Sequence, residues 1–158
     1  VGSEQAPADV AATGPLLRAP QASLPLSPRT WRATEPLIAA LEDEVSDVRL
    51  MAALSLAEIK DTRAVGPLVR VLSDDGPDVG LAAAYALGEI AALEAVDPLV
   101  HALEHADQYV RCAAAEALGK IHDVRSIAAL RAARMDDTPE VRQAASRALR
   151  AFPPRPST

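Results

Sequence analysis

The sequence predicts an all-α fold, a right-handed α-solenoid of four αα-hairpins preceded by a proline-rich N-terminal tail. Two observations predict it. One segment recurs four times at a spacing of 31 residues with no insertion, and the composition is 49% hydrophobic but only 3% aromatic. A period of this length is typical of repeat proteins, in which each unit buries its apolar face against its neighbours. We therefore expect the function to lie on an extended surface.

The repeat is most easily seen at a valine that begins an alanine-rich segment. The four copies of this valine are Val48, Val79, Val110 and Val141. The same shift of 31 residues superimposes the leucines at positions 37, 68, 99 and 130. Because both sets keep the same register, we divide the array into repeats 32–62, 63–93, 94–124 and 125–152.

Residues 1–30 are predicted to be a tail or linker outside the repeat domain, which we place at residues 31–152. Prolines at positions 7, 15, 20, 25 and 28 exclude a long helix there. The apolar residues of this region either lie across the open end of the first repeat as an irregular cap or stay unstructured. They are Leu16, Leu17, Leu24, Leu26 and Trp31. Residues 153–158 form a short C-terminal tail.

Each unit is predicted to contain two helices. A proline opens the first helix, at Pro36, Pro67 and Pro98. A turn rich in Asp, Ser and Pro follows, and the second helix starts at the repeated valine. At 100° per residue the second helix of repeat one buries a stripe composed of Val48, Ala52, Leu56 and Ile59.

Small residues and charged residues also recur at fixed positions of the repeat. The small residues Ala57, Gly88 and Gly119 occupy equivalent places, where they let neighbouring helices approach closely. The arginines of the Val-Arg step are expected to pair with acidic turn residues; the two sets are Arg49, Arg111 and Arg142, and Asp47, Asp78, Asp107 and Asp137. In the last unit Arg131, Arg134 and Arg150 provide the charged outer face that a terminal repeat needs.

These residues resemble the HEAT repeats, and in particular the short bacterial type named after phycobilisome lyases. That type has a pattern close to V-R-x-x-A-A-x-A-L-G-x-I followed by A-V-x-P-L, which residues 110–121 and 64–68 fit. The similarity covers residues 32–152, with departures at Ala57, Gly80, Ala129 and Arg150. The resemblance implies a protein-binding scaffold whose second helices line a concave surface.

The predicted binding surface is the face of the second helices left over once the buried stripe is removed. It consists of an apolar ridge with an acidic rim, which suits an amphipathic helix or an extended peptide with basic flanks. The ridge includes Leu50, Met51, Leu54, Leu81, Tyr85, Tyr109 and Cys112, and the acidic residues are Asp47, Glu58, Asp78, Glu89 and Glu116. Alanines 82 and 113 lie on the same face.

Three occupants of this ridge remain open: an external protein or peptide, the N-terminal tail, and a second copy of the chain. Nucleic acid is excluded as a partner, because the net charge is −6 and no run of lysine and arginine is present. No apolar segment is long enough to insert into a membrane.

Candidates for chemistry are few, and we expect neither an enzyme nor a bound cofactor or metal. The string His101-Ala102-Leu103-Glu104-His105 matches an H-x-x-E-H zinc motif, but it lies at exposed repeat positions and lacks a third ligand. Cys112 lies beside Arg111 on an alanine-rich helix, which is a poor environment for a thiolate.

The predicted function is therefore a non-enzymatic scaffold that binds a peptide or helix on its concave face. Two alternatives remain. The first is a lyase or chaperone-type subunit acting on a bilin-bearing protein, since bilin lyases share this type of repeat. The second is a purely structural array within a larger sensor or secreted protein.

Overall fold

A computed structural model describes residues 28–73 and 76–153. This part of the chain contains eight α-helices, three short 3₁₀ turns and no β-strand. The predicted all-α solenoid is confirmed. The helices are α1 (Pro28–Ala40), α2 (Ser46–Ile59), α3 (Val65–Val71), α4 (Pro77–Ile90), α5 (Val96–Ala102), α6 (Gln108–Ile121), α7 (Ile127–Ala133) and α8 (Pro139–Arg150). The predictions made for the leucines of the tail and for the side chain of Trp31 lie outside the described residues.

The helices pair into four hairpins, α1 with α2, α3 with α4, α5 with α6 and α7 with α8. The closest packing between hairpins runs along the second helices, which form a row in the order α2, α4, α6, α8. Each later first helix is short and follows a 3₁₀ turn, Thr62–Ala64, Leu93–Ala95 or Val124–Ser126. The row of second helices therefore provides the main packing contacts between successive hairpins.

The core consists of buried leucines from all four hairpins and alanines between the second helices. Seven leucines are at most 1% exposed, namely Leu41, Leu56, Leu68, Leu87, Leu99, Leu118 and Leu130. Burying such a side chain fully contributes about 1.5–3 kcal/mol. Small residues fill the remaining space between the second helices, where Ala53, Ala84 and Ala115 are fully buried.

Two glycines set the spacing of the second helices. A Cβ atom built on Gly88 would lie 2.8 Å from Cα of Ala117, and one built on Gly119 would lie 2.9 Å from Cα of Ala148. Both distances are too short for real carbon atoms, so only glycine fits at these positions. The expected close approach of neighbouring helices is confirmed for these two pairs.

The first three second helices end in the same way, with a non-glycine residue in the left-handed conformation. Lys60, Ala91 and His122 have φ values of 57°, 55° and 58°. Each donates its backbone N–H to a leucine carbonyl four residues earlier. The left-handed backbone conformation costs about 1–2 kcal/mol of folding free energy per residue. It turns the chain toward the first helix of the next unit.

The arginines of the Val-Arg step bind the turn between the two helices of their own hairpin. Arg49 donates to the carbonyls of Asp43 and Glu44, at 2.8 and 3.1 Å. Arg111 donates to the carbonyls of residues 105 and 106, and Arg142 donates to those of residues 136 and 137. All three arginines thus bind carbonyls of the turn, and for Arg142 these carbonyls take the place of the expected carboxylate among the described residues.

Arg111 adds the expected ionic contact. It pairs with Asp136 at 2.9 Å and with Asp137 at 3.1 Å, which joins the third hairpin to the fourth. Hydrogen bonding to Arg111 holds the pKa of Asp136 at about 2. Asp107, a predicted partner of these arginines, has a different role: its carboxylate caps α6 by accepting from the backbone N–H groups of Tyr109 and Val110.

Two predictions about the first unit are wrong. Pro36 does not open the first helix, because α1 already begins at Pro28 and contains Pro36 in its interior. Val48 is not buried but 38% exposed, whereas Val79, Val110 and Val141 are at most 1% exposed. Each of these later valines is covered by the preceding unit, and no described unit precedes Val48.

The glycine contacts predict that two Gly→Ala substitutions change the free energy of unfolding differently. Gly119→Ala should destabilise the fold by about 1–3 kcal/mol, because its methyl group would overlap Ala148. A Cβ atom on Gly66, in α3, would meet nothing within 4 Å, so Gly66→Ala is the matched control and should be neutral or stabilising by up to about 1 kcal/mol. Urea unfolding followed by circular dichroism measures both. Equal stability of the two variants would contradict the close approach.

Candidate functional site

The candidate site is the solvent side of α2, α4 and α6, called here the second-helix face. Large exposed apolar side chains come from three consecutive units: Leu54 is 36% exposed, Tyr85 40% and Tyr109 60%. Half-buried residues between them connect the surface; these are Leu50, Leu81 and Cys112. Exposed aromatic and leucine side chains in adjacent units form the kind of apolar strip that marks a contact surface.

Not every predicted member of this face is accessible. Ala82 is fully buried, and Ala113 is half-buried. Met51 occupies the same repeat position as these alanines but is 60% exposed. It lines a depression at the N-terminal end of the stack together with Asp47, Val48 and Leu37. Met51 and Asp47 therefore lie where the face meets the open end of the first hairpin.

The acidic residues of the face differ in their partners. Asp47, Glu58 and Asp78 are exposed and form no ion pair with any residue that the structure describes. Asp47 and Asp78 lie in the first turns of α2 and α4. The uncompensated negative charge of the face is thus concentrated in the first two units.

Glu89 is instead held between two lysines. Lys60 binds Oε2 at 2.7 Å, and Lys120 hydrogen-bonds to Oε1. The hydrogen bonds from Lys120 and Lys60 lower the pKa of Glu89 to about 2. The ammonium of Lys120 also lies 5.0 Å from the centre of the Tyr85 ring, a cation–π arrangement. One carboxylate thus links the first three hairpins, and one of its two lysines also contacts Tyr85.

The face becomes ionic at its C-terminal end. Glu116 accepts a hydrogen bond from Arg147 at 3.0 Å, across the third and fourth units. Gln143 and Arg147 occupy the positions that Leu81 and Tyr85 hold in the second unit, and Glu116 itself stands at the tyrosine position in the third. The apolar strip therefore ends at the third unit.

Sequence reasoning missed the two lysines that bind Glu89. A signal was present for one of them, because Lys120 occupies the same repeat position as Glu89, one unit later. Opposite charges at equivalent positions of adjacent units face each other across the helix row. Lys60 has no such signal, since it follows the end of α2 and its direction depends on the left-handed backbone there.

The reactive candidates occupy unfavourable surroundings. Burial, together with Glu116 and Glu140, raises the pKa of the Cys112 thiol. A thiol with a raised pKa is less often the reactive thiolate. Nδ1 of His105 accepts the backbone N–H of Asp107 at 3.0 Å, so this ring stabilises the turn before α6. Among the residues described, no three His, Cys, Asp or Glu side chains converge to hold a metal ion.

No helix in residues 28–73 and 76–153 is long and apolar enough to cross a membrane.

Comparison with known proteins agrees with this architecture. The family model for HEAT repeats matches residues 34–94 and 67–150, and the chain belongs to the HEAT-repeat family. Among curated proteins, none matches this chain.

Solved structures with the same fold include designed and natural solenoids. An engineered protein is 28% identical with a TM-score of 0.62, and the match covers 75% of this chain and 62% of the engineered one. A designed armadillo repeat protein in complex with the peptide (KR)4 is 26% identical with a TM-score of 0.64, covering 77% and 65%. The chain thus spans just under two thirds of the length of these two neighbours.

A natural neighbour is the complex of CpcE and CpcF of phycocyanin lyase from Nostoc sp. PCC7120. It is 23% identical with a TM-score of 0.55, and the match covers 89% of this chain and 68% of that one. At this level of sequence identity, the similarity shows a shared fold.

The Glu89 bridge predicts a pH-dependent contribution to stability. Because the pKa of Glu89 is lower in the folded state, its contribution is present above the ordinary glutamate pKa of about 4.3 and is lost as the pH falls toward 2. Glu89→Gln should therefore cost about 1 kcal/mol at neutral pH and should lose less stability than the parent on acidification.

Urea unfolding at a series of pH values measures this difference. The matched control is Glu58→Gln, at the same repeat position in the first unit, where the carboxylate has no ion pair among the described residues. The control should follow the parent at every pH. A Glu89→Gln variant that also follows the parent would show that the bridge contributes nothing.

Proposed function

We propose that this chain is a non-enzymatic interaction module that binds an extended peptide or an amphipathic helix along the second-helix face. One observation carries the proposal. Leu54, Tyr85 and Tyr109 are exposed in three consecutive units, although their helices are packed tightly on the other side. A surface that faces only water has no need of large apolar side chains in three adjacent units, whereas a binding groove does.

The chemistry of these side chains suits a peptide ligand. Tyrosine provides a large apolar surface with a polar tip and loses little conformational entropy on binding. The ring of Tyr85 is also held in place by Lys120. Burial of the strip would contribute roughly 25 cal/mol for each Å² removed from water, before the costs of association are subtracted. Leu54 and Tyr85 are therefore the residues expected to dominate the affinity.

The charge pattern favours a ligand with basic residues near its apolar ones. Asp47, Glu58 and Asp78 surround the strip in the first two units, and complementary charge would speed association and set orientation. The likeness to a designed armadillo protein in complex with (KR)4 supports a basic peptide as the class of ligand. At the other end, the Glu116–Arg147 pair limits the apolar contact to the first three units.

A direct test uses a fluorescent octapeptide of alternating lysine and leucine, with alternating lysine and glycine as the peptide control. Fluorescence anisotropy should show binding of the first peptide, with affinity that falls as salt is raised. The glycine peptide should bind at least about tenfold more weakly, because it cannot bury apolar surface on the strip. If neither peptide binds, the proposal of a basic amphipathic ligand is wrong.

Leu54→Asp should weaken binding of the leucine peptide by about tenfold or more, since it places a carboxylate in the centre of the strip. Tyr85→Ala should have a similar effect. The matched control is Leu93→Asp, because Leu93 is 57% exposed in a 3₁₀ turn away from this face. All three variants should keep the helicity of the parent. Equal binding by Leu54→Asp and Leu93→Asp would place the ligand elsewhere.

A further inference from the structure

The N-terminal end of the stack exposes apolar surface that every later unit buries. Val48 is 38% exposed and Met51 60%, whereas Val79 and Ala82, one unit later, are at most 1% exposed. These side chains line a depression of about 370 Å³ between α1 and α2, together with Leu37, Ala40 and Ala52. In the later units the second helix of the preceding hairpin fills this place.

The two ends of the stack differ in character. At the C-terminal end the outer face of α8 is lined by Arg142, Arg147 and Arg150, with polar residues between them. A terminal repeat of this kind needs no further cover. At the N-terminal end, the described residues that line the depression are apolar apart from Asp47 and Ser55. Solvent exposure of such a surface is costly, so a cover is expected there.

We propose that this depression is a docking site for the chain's own segment of residues 1–27, which covers it as an extended strap. The segment is continuous with Pro28, the first residue of α1. It contains Leu16, Leu17 and Leu24, and its prolines at 7, 15, 20 and 25 favour an extended conformation. An extended strap needs no helix partner and fits a groove that a helix occupies in the other units.

The lengths are compatible. Leu37 is nine residues into α1 from Pro28, about 14 Å at 1.5 Å per residue. Leu24 precedes Pro28 by four residues, which span up to about 13 Å when extended. A strap that reverses direction at Pro28 therefore brings Leu24 level with Leu37. The Leu16–Leu17 pair, a further seven or eight residues away, reaches beyond Ala40 and Val48.

A second copy of the chain is the less favoured occupant. Its C-terminal end carries arginines where the depression needs apolar side chains. Two N-terminal ends facing each other would bring together the acidic residues around the first turn, Asp43, Glu44 and Asp47, and like charges directly opposed are repulsive. The strap carries leucines and is linked covalently, which gives it a high effective concentration.

The two methionines of the chain provide a test on the unaltered protein. Met51 lies in the depression, and Met135 is 85% exposed in the last hairpin. Without the strap the two exposures, 60% and 85%, would give similar rates of oxidation by hydrogen peroxide. With the strap docked, Met51 should be oxidised roughly tenfold more slowly than Met135, because methionine oxidation follows accessibility. Mass spectrometry of peptides measures both rates in one sample.

In a second experiment, the leucines of the strap are replaced in the full chain. Replacing Leu16, Leu17 and Leu24 with serine should bring the Met51 rate close to that of Met135, while Met135 is unchanged. Ala11→Ser with Ala12→Ser is the control in the same segment and should preserve the protection. Comparable oxidation of Met51 and Met135 in the parent chain would overturn the proposal. Protection of Met51 that disappears on dilution would overturn it too, because the cover would then be a second copy.

A disulfide test locates the strap without disturbing its leucines. In a Cys112→Ser background, Ser23→Cys with Ser55→Cys should form an intramolecular disulfide quickly, because Ser55 lines the depression beside Met51. Ser23→Cys with Ser146→Cys is the control, since Ser146 lies at the opposite end of the stack. Equal rates for the two pairs, or a disulfide that forms only between chains, would contradict docking in cis.

Discussion

The close approach of successive second helices is the constraint on which the rest of the structure depends. Gly88 lies against Ala117, and Gly119 against Ala148, at distances that leave no room for a Cβ atom on the glycine. Helices packed this closely must repeat at a constant interval, because an insertion in one unit would displace all of its contacts. The 31-residue period, the alanine-rich core and the low aromatic content follow from the same constraint.

A rigid row of helices determines where a ligand can bind. The inner sides of α2, α4 and α6 are occupied by packing, so their remaining face has side chains at fixed intervals. On this face the Lys60–Glu89–Lys120 bridge crosses three hairpins and the Glu116–Arg147 pair crosses two. These contacts fix the edge and the end of the strip centred on Leu54 and Tyr85. The face thus combines a rigid base with exposed apolar side chains, which limits the entropy lost on binding.

Sequence periodicity was sufficient for the features that repeat in every unit. The buried stripe around Leu56, the small residues at Gly88 and Gly119 and the charged C-terminal unit all depend on position within the repeat, so alignment of the four copies reveals them. Periodicity fails where a unit lacks a neighbour. Val48 matches its copies perfectly in sequence, yet it is exposed because no described unit covers it.

The partners of long charged side chains were harder to predict. Whether Glu89 belongs to an open acidic rim depends on the directions of Lys60 and Lys120, and for Lys60 that direction follows from a left-handed residue at the helix end. Arg49 and Arg142 donate hydrogen bonds to backbone carbonyls of the turn. The repeat pattern of the sequence gives no distances between side chains and carbonyls, so it does not predict these contacts. The position of α1 was missed for a similar reason, since Pro36 looks like a helix start but lies inside the helix.

The central claim, that the second-helix face is the binding surface, is tested most directly by mapping a ligand onto the protein. Nuclear magnetic resonance of the labelled chain, titrated with the lysine–leucine peptide, reports which backbone amides change. We expect shifts concentrated in the residues around Leu54, Tyr85 and Cys112, with little change in the turns that contain Leu93 and Val124. Shifts confined to the first helices or to those turns would contradict it.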